Sequence, residues 1–213
     1  MPQNQGFFKT NRFIFLALIV VGVVGIAAKT IPGFQQFLFQ QQQTKMSNGG
    51  EMPIGGPFHM IDQNGQVFTE ANLLNKYTLL FFGYTHCPDV CPTSLAQMAD
   101  VYSKLPTVAQ KKLQVVFVTV DPQRDTPKLM KEYLANFNPN FIGLSGTAPE
   151  LKSMAKEYLV YYAKNPDSDP EHYLMDHSAY YYLMGPDGKY VTHYSHKMQS
   201  PAMEQDIRTQ MGL

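Results

Sequence analysis

Hydrophobic positions along the chain follow two kinds of pattern, which change over near residue 53. Phe13 to Ala28 is unbroken apolar sequence, with Lys9 and Arg12 ahead of it and Lys29 behind. Beyond residue 53, short apolar runs alternate with stretches whose apolar residues recur every three or four positions. The first pattern suits a lipid interior, the second suits strands alternating with amphipathic helices.

Phe58 to Asp62 and Gln66 to Phe68 flank Gln63-Asn64-Gly65, whose Asn-Gly pair predicts a hairpin turn. Thr78 to Gly83 and Leu113 to Val120 are continuous apolar runs, the pattern of strands buried on both faces. Between them, Leu95, Met98, Ala99, Tyr102 and Leu105 at helical spacing predict a helix over 93–105. Lys128 to Phe137 predicts a second helix and Phe141 to Leu144 a short strand. Thr147 and Glu150 stand at capping-box spacing, so a helix is expected from there to about Leu159. Asn165 to Glu171 reads as an exposed loop. Ala179 to Met184 and Tyr190 to His196 predict strands joined by Gly185-Pro-Asp-Gly188. Ser200-Pro201 predicts a last helix with serine as its cap and proline at its first position. Strands alternating with helices imply an α/β domain, its central sheet covered on both faces and made mixed by the hairpins.

The resulting organisation is a short cytoplasmic N-terminus at 1–12, a transmembrane anchor at 13–31, a flexible linker at 32–52 rich in Gln with Ser, Asn and Gly, and a folded domain at 53–213. The apolar run is slightly short for a span, and Thr30 and Ile31 extend it. A cleaved signal peptide, with Gly25 and Ala27 as small residues near the cleavage site, is the competing reading. In either case the positive residues ahead of the run keep the N-terminus in the cytoplasm and send everything after residue 30 across the membrane. The simplest location is a bacterial inner membrane with the domain in the periplasm. A mitochondrial inner membrane facing the intermembrane space is the second choice, since no acidic residue precedes Glu51.

Composition narrows the chemistry. Formal net charge is zero, which argues against nucleic acid as a partner. The two cysteines are too few for a disulfide-scaffolded mini-domain, and both lie in Gly83-Tyr-Thr-His-Cys87-Pro-Asp-Val-Cys91-Pro92. This motif follows a buried strand and precedes a helix, where open α/β sheets bind ligands. One helical turn between Cys87 and Cys91 would bring both sulfurs to one side, and a helix N-terminus favours thiolate over thiol. Such a pair can close a disulfide or hold a soft metal ion. An imidazole as third ligand suits copper, zinc and iron alike. His177, in Leu174-Met-Asp-His-Ser178, is the best third ligand, and Asp176 beside it is placed to orient the ring. Plainer readings stay open: a structural disulfide, a metal-free catalytic dithiol, or a His177 that is only hydrogen-bonded. His86 competes as a ligand, but a side chain next to a helical cysteine points elsewhere. His59, His172, His193 and His196 read as surface or packing residues, and the twelve scattered methionines as core filling.

Phe81-Phe-Gly-Tyr-Thr-His-Cys87-Pro-Asp-Val-Cys91-Pro92, Val120-Asp-Pro-Gln-Arg-Asp-Thr126 and Tyr173-Leu-Met-Asp-His177-Ser178 together resemble the Sco/SenC family of cytochrome c oxidase assembly factors, over Pro53 to Gly212. The resemblance implies a thioredoxin-like fold with an additional N-terminal β-hairpin. It implies a carrier of Cu(I) or Cu(II) on Cys87, Cys91 and His177 that helps load the binuclear copper site of oxidase subunit II. It also implies a copper donor and a thiol reductant as partners, and places Asp121 and Asp176 near the site. Two departures from ordinary thioredoxins matter: the cysteine spacing is longer by one residue, and Asp176-His177-Ser178 stands where a thioredoxin has its cis-proline. The alternative function is a thiol–disulfide oxidoreductase, with Cys87 and Cys91 as redox pair, that keeps the cysteines of that subunit reduced. A peroxidase is a third reading that nothing in the sequence favours.

Overall fold

The computed structural model describes residues 54–213, so the expected cytoplasmic tip, anchor and linker lie outside the described residues. Among the described residues, no helix is long and apolar enough to cross a membrane.

Seven strands form one mixed sheet, in the order β2-β1-β5-β4-β3-β8-β9. Its centre is β3 (Tyr77–Gly83), β4 (Leu113–Thr119) and β5 (Ile142–Ser145), which run parallel. The apolar runs of the first two mark these strands because both faces are covered: Leu79 to Phe82 are fully buried, as are Val116 to Val118. β8 (Tyr180–Met184) pairs antiparallel with β3, and β9 (Tyr190–Ser195) with β8. The run β4-β3-β8-β9 is the thioredoxin-like core. The N-terminal hairpin, β1 (His59–Asp62) and β2 (Val67–Thr69), adds to the far edge by pairing β1 with β5. Its turn carries Gly65 at φ +79°, a conformation that a side chain would strain.

Successive residues of β3 serve opposite faces. Phe81 stands in register with Phe117 on β4 and Tyr181 on β8, giving an aromatic row on one face. Helix α1 (Val90–Lys104) covers this row, burying Cys91, Ser94, Leu95, Met98 and Val101 along one stripe, and Gln97 accepts a hydrogen bond from the Tyr181 hydroxyl at 2.6 Å. A single turn, α2 (Thr107–Gln110), leads into β4. Helix α3 (Pro127–Ala135) lies on the same face, with Tyr133 against Phe117, and begins at Thr126, whose hydroxyl accepts from Leu129 N–H. The other face carries Phe82, Tyr182 and Tyr158, the last just beyond helix α4 (Ala148–Glu157). The capping box expected at Thr147 and Glu150 is formed. Helix α5 (Ser200–Gln210) packs beside α1.

Two sequence expectations need correction. Ser200 is the first residue of α5, and Gln199 holds the cap position without a side-chain cap bond. Helix α1 begins at Val90, three residues before the expected start, so Cys91 lies inside it and Cys87 in the turn ahead. His177 lies just ahead of β8, and it also ends a strand the sequence reading did not foresee: β6 (Tyr162–Lys164) and β7 (Met175–His177) form a separate two-stranded ribbon flanking the exposed Asn165 to Glu171 loop. Strands this short, with Lys164 and Asp176 in them, carry no legible alternation.

Candidate metal centre

β3 delivers the chain to one end of the sheet and stops at Gly83, the last residue of the strand. Gly83 faces the interior with no room to spare: a Cβ there would lie 2.8 Å from Cys91 Sγ and 2.8 Å from the Phe117 ring. The chain turns through Thr85 and His86, passes Cys87 and enters α1. The N-cap residue Asp89 makes no side-chain cap bond. The sulfur of Cys87 acts in its place, accepting the Cys91 N–H at 3.4 Å. The expectation that both cysteines share a helical turn is therefore replaced by a different cause of their closeness: one sulfur sits over the N-terminus of the helix that carries the other.

The third group arrives from a remote part of the chain. β7 places His177 Nε2 at 3.5 Å from Cys91 Sγ. Ligand atoms of Cys87, Cys91 and His177 all lie within 4.8 Å of one another, and among the described residues they form the one such His/Cys/Asp/Glu group. The imidazole packs edge-on against Phe81 at 6.0 Å and Tyr84 at 5.9 Å between centroids. Its Nδ1 lies 3.1 Å from the Ser178 carbonyl oxygen, and Nε2 faces the two sulfurs. Asp176 does not orient the ring as expected. It is exposed, and its carboxylate accepts from Asn165 Nδ2 at 3.0 Å, because neighbouring residues of a strand point to opposite sides.

Both cysteines are free, Cys91 fully buried and Cys87 half-buried. Hydrogen bonding from the Cys91 thiol, with further donors in His177 and the backbone N–H groups of Asp89 and Cys91, holds the Cys87 thiol far below its ordinary range. The same hydrogen bond, with burial and the adjacent Cys87 charge, pushes Cys91 up. The surroundings thus favour the thiolate on the more accessible sulfur. Burial raises the Tyr84 phenol, and the two cysteines raise it further. Two soft sulfurs and one imidazole nitrogen make a donor set for a soft or borderline metal ion.

Behind the motif lies a carboxylate that sequence reasoning missed. Asp125 is fully buried and accepts from Thr85 N–H at 3.0 Å, Thr85 Oγ1 at 2.5 Å and Thr119 Oγ1 at 2.6 Å, tying the turn before Cys87 to the end of β4. Its place in Val120-Asp-Pro-Gln-Arg-Asp-Thr126 was visible, but its burial was not. Asp121, also buried, accepts from the Tyr173 hydroxyl at 2.9 Å and from Arg124 Nε, and is no member of the ligand group. His86 bonds Thr85 Oγ1 at 3.0 Å. His59 meets Glu150 at 2.8 Å, His193 the Tyr190 hydroxyl at 2.5 Å and His196 the Ala179 carbonyl at 3.2 Å.

The sequence matches the family described as SCO1/SenC over residues 46–212. It is 39% identical over 186 residues to the mitochondrial protein SCO1 of Saccharomyces cerevisiae, covering 86% of this chain and 62% of that one. The chain spans 48% and 62% of the length of the two yeast relatives it matches. Its structure is similar to Arabidopsis thaliana ScoI with copper bound, at TM-score 0.71 and 39% identity over 75% of this chain and 98% of that one. A more distant likeness, at TM-score 0.57 and 25% identity over 75% of this chain and 94% of that one, is BsSco, described as a Sco-family cytochrome c oxidase assembly protein with a disulfide switch.

Proposed function

We propose, from the premise that this chain belongs to the SCO1/SenC family, that it carries one copper ion on Cys87, Cys91 and His177 and passes it to the binuclear copper site of cytochrome c oxidase subunit II. The observation that carries the reading is the convergence of two sulfurs and an imidazole nitrogen within 4.8 Å. The copper-bound state of the similar Arabidopsis protein supports copper over zinc or iron as the cargo.

The residues divide the work. Cys87, already ionised and half-exposed, meets the incoming ion first. Cys91 then gives up its proton, which the favourable sulfur–metal bond drives although burial resists it. His177 closes the set from the ribbon through Nε2. Copper is cargo here, so the site must also release it. A half-exposed sulfur lets an acceptor thiolate enter by ligand exchange without a free ion being formed. Oxidation of the thiol–thiolate pair by an external disulfide, which takes up the two electrons while one proton is released, closes Cys87 and Cys91 into a disulfide, removes both sulfur donors and so gates loading.

The same thiolate supports a second reading, a thiol–disulfide oxidoreductase that keeps the acceptor's cysteines reduced. Cys87 would attack a substrate disulfide, releasing one thiolate and leaving a mixed disulfide. Cys91, deprotonated, would then attack Cys87 Sγ and release the second. A thiol reductant would restore the pair, as befits a family with a disulfide switch in one member. This cycle does not need His177. A membrane anchor at 13–31, with the domain in the periplasm of a bacterium, belongs to the same proposal.

Anaerobic Cu(I) titration of the reduced full-length chain separates the two readings. One copper per chain is expected, with His177→Ala weakening binding by tenfold or more. Unchanged affinity in His177→Ala would remove the three-ligand site and leave the dithiol reductase.

A further inference from the structure

His177 reaches the cysteines from a ribbon that shares no ladder with the main sheet. The ribbon is also poorly seated on one side. A cavity of about 200 Å³ separates it from the end of β4, lined by Val120, Asp121 and Leu151 of the body and by Tyr162, Lys164 and Met175 of the ribbon. Close packing is therefore incomplete on that side, and polar contacts there help the packing of His177 on Phe81 and Tyr84 to hold the ring near Cys91.

One cluster bridges this seam. Tyr173, two residues ahead of β7, donates its hydroxyl to Asp121 Oδ1 at 2.9 Å. Arg124 lays its guanidinium 3.6 Å from the centre of the Tyr173 ring, and Lys164 of β6 brings its ammonium to 3.8 Å from the same centre. Asp121 is buried and anchored in turn, its N–H donating to Thr119 Oγ1 at 2.9 Å while its other carboxylate oxygen accepts from Arg124 Nε. Among the described residues Arg124 Nη2 is buried without a partner, a cost that the Nε hydrogen bond and the stacking on Tyr173 must offset. Asp121 and Arg124 belong to the loop after β4, Tyr173 and Lys164 to the ribbon. A cation–π contact of this closeness and a charge-assisted hydrogen bond link the two sides of the cavity.

We propose that Tyr173 is a positioning residue: clasped by Asp121, Arg124 and Lys164, it sets where His177 stands relative to Cys91 and so tunes metal affinity from a distance. The proposal rests on the three-ligand reading, and its test separates the two. Cu(I) affinity is measured anaerobically by chelator competition on the full-length chain and on Tyr173→Ala, Tyr173→Phe, His177→Ala and the Tyr173→Ala/His177→Ala double variant. Supporting residues around metal ligands carry about tenfold in affinity, so Tyr173→Ala should weaken Cu(I) about tenfold. In the His177→Ala background the same change should do almost nothing, because it acts only through the imidazole. Tyr173→Phe keeps the ring and loses the hydroxyl, and an intermediate loss is expected; it carries the cycle should Tyr173→Ala fail to fold. Equal losses in both backgrounds, or no loss from Tyr173 variants while His177→Ala weakens binding, would overturn the positioning role alone. No loss from His177→Ala would overturn the three-ligand site and this proposal with it.

Discussion

Cys87 and Cys91 bear the same side chain, yet the fold gives them opposite surroundings. Cys87 receives hydrogen bonds from a thiol, an imidazole and the start of a helix, while Cys91 is buried against Gly83 and Phe81's aromatic row. In the metal-free reduced protein, Cys87 should therefore alkylate at a rate that hardly falls between pH 8 and pH 5. An ordinary thiol loses roughly a thousandfold over that interval as its thiolate is protonated. Its lowered pKa sets the sign: the ionised form persists as pH falls. Mass-spectrometric rates for each cysteine check this, and a Cys87 that slows like a free thiol would contradict it. Gly83→Ala would push Cβ into Cys91 Sγ and the Phe117 ring, at a cost of about 1–3 kcal/mol in urea unfolding and with weaker metal binding. Asp125→Ala strands the Thr85 N–H and the Thr119 hydroxyl, for a loss of about 2–4 kcal/mol by the same measurement. Residue types and motifs announced Cys87, Cys91 and His177 as candidates, and the fold brings their ligand atoms together. The roles of Gly83 and Asp125 were not legible, because closeness to a sulfur or burial behind a turn depends on strands distant in sequence. Asp176 misled for the converse reason: being next to His177 along a strand put it on the other side.

The elements most legible from sequence were those whose burial is uniform. Continuous apolar runs gave β3 and β4, and the stripe from Cys91 to Val101 is the helical period made physical. The Asn64-Gly65 turn and the Thr147 cap were readable because single residues satisfy a local backbone need. Removing the latter with Thr147→Ala should cost about 1 kcal/mol, read as a shift in thermal midpoint without change in metal stoichiometry. The ribbon was illegible. Three-residue strands cannot display a period, and their partnership across the 165–171 loop is a tertiary fact. It is nonetheless the element that brings an imidazole to the two sulfurs.

At the scale of the whole domain, a thioredoxin-like core supplies a strand end and a helix start, and insertions adapt it: a hairpin beyond β5 and a ribbon over the cysteines. The sheet class and its added hairpin followed from the alternation of patterns, whereas the strand order required the registers themselves. Since metal binding favours the folded state, Cu(I) at a hundredfold over its dissociation constant should stabilise the reduced chain by about 2.7 kcal/mol. A Cu(I) chelator should reverse the gain, and the chain oxidised to the disulfide should show none. The claim at the centre of the account is that a ring from the ribbon and two sulfurs from the α1 turn bind the same ion. X-ray absorption of the anaerobic Cu(I)-loaded chain, compared with His177→Ala, tests it most directly. The account predicts two sulfur scatterers and one imidazole nitrogen in the wild type, with the nitrogen lost in the variant. Sulfur-only coordination in the wild type, or an unchanged spectrum in the variant, would contradict it.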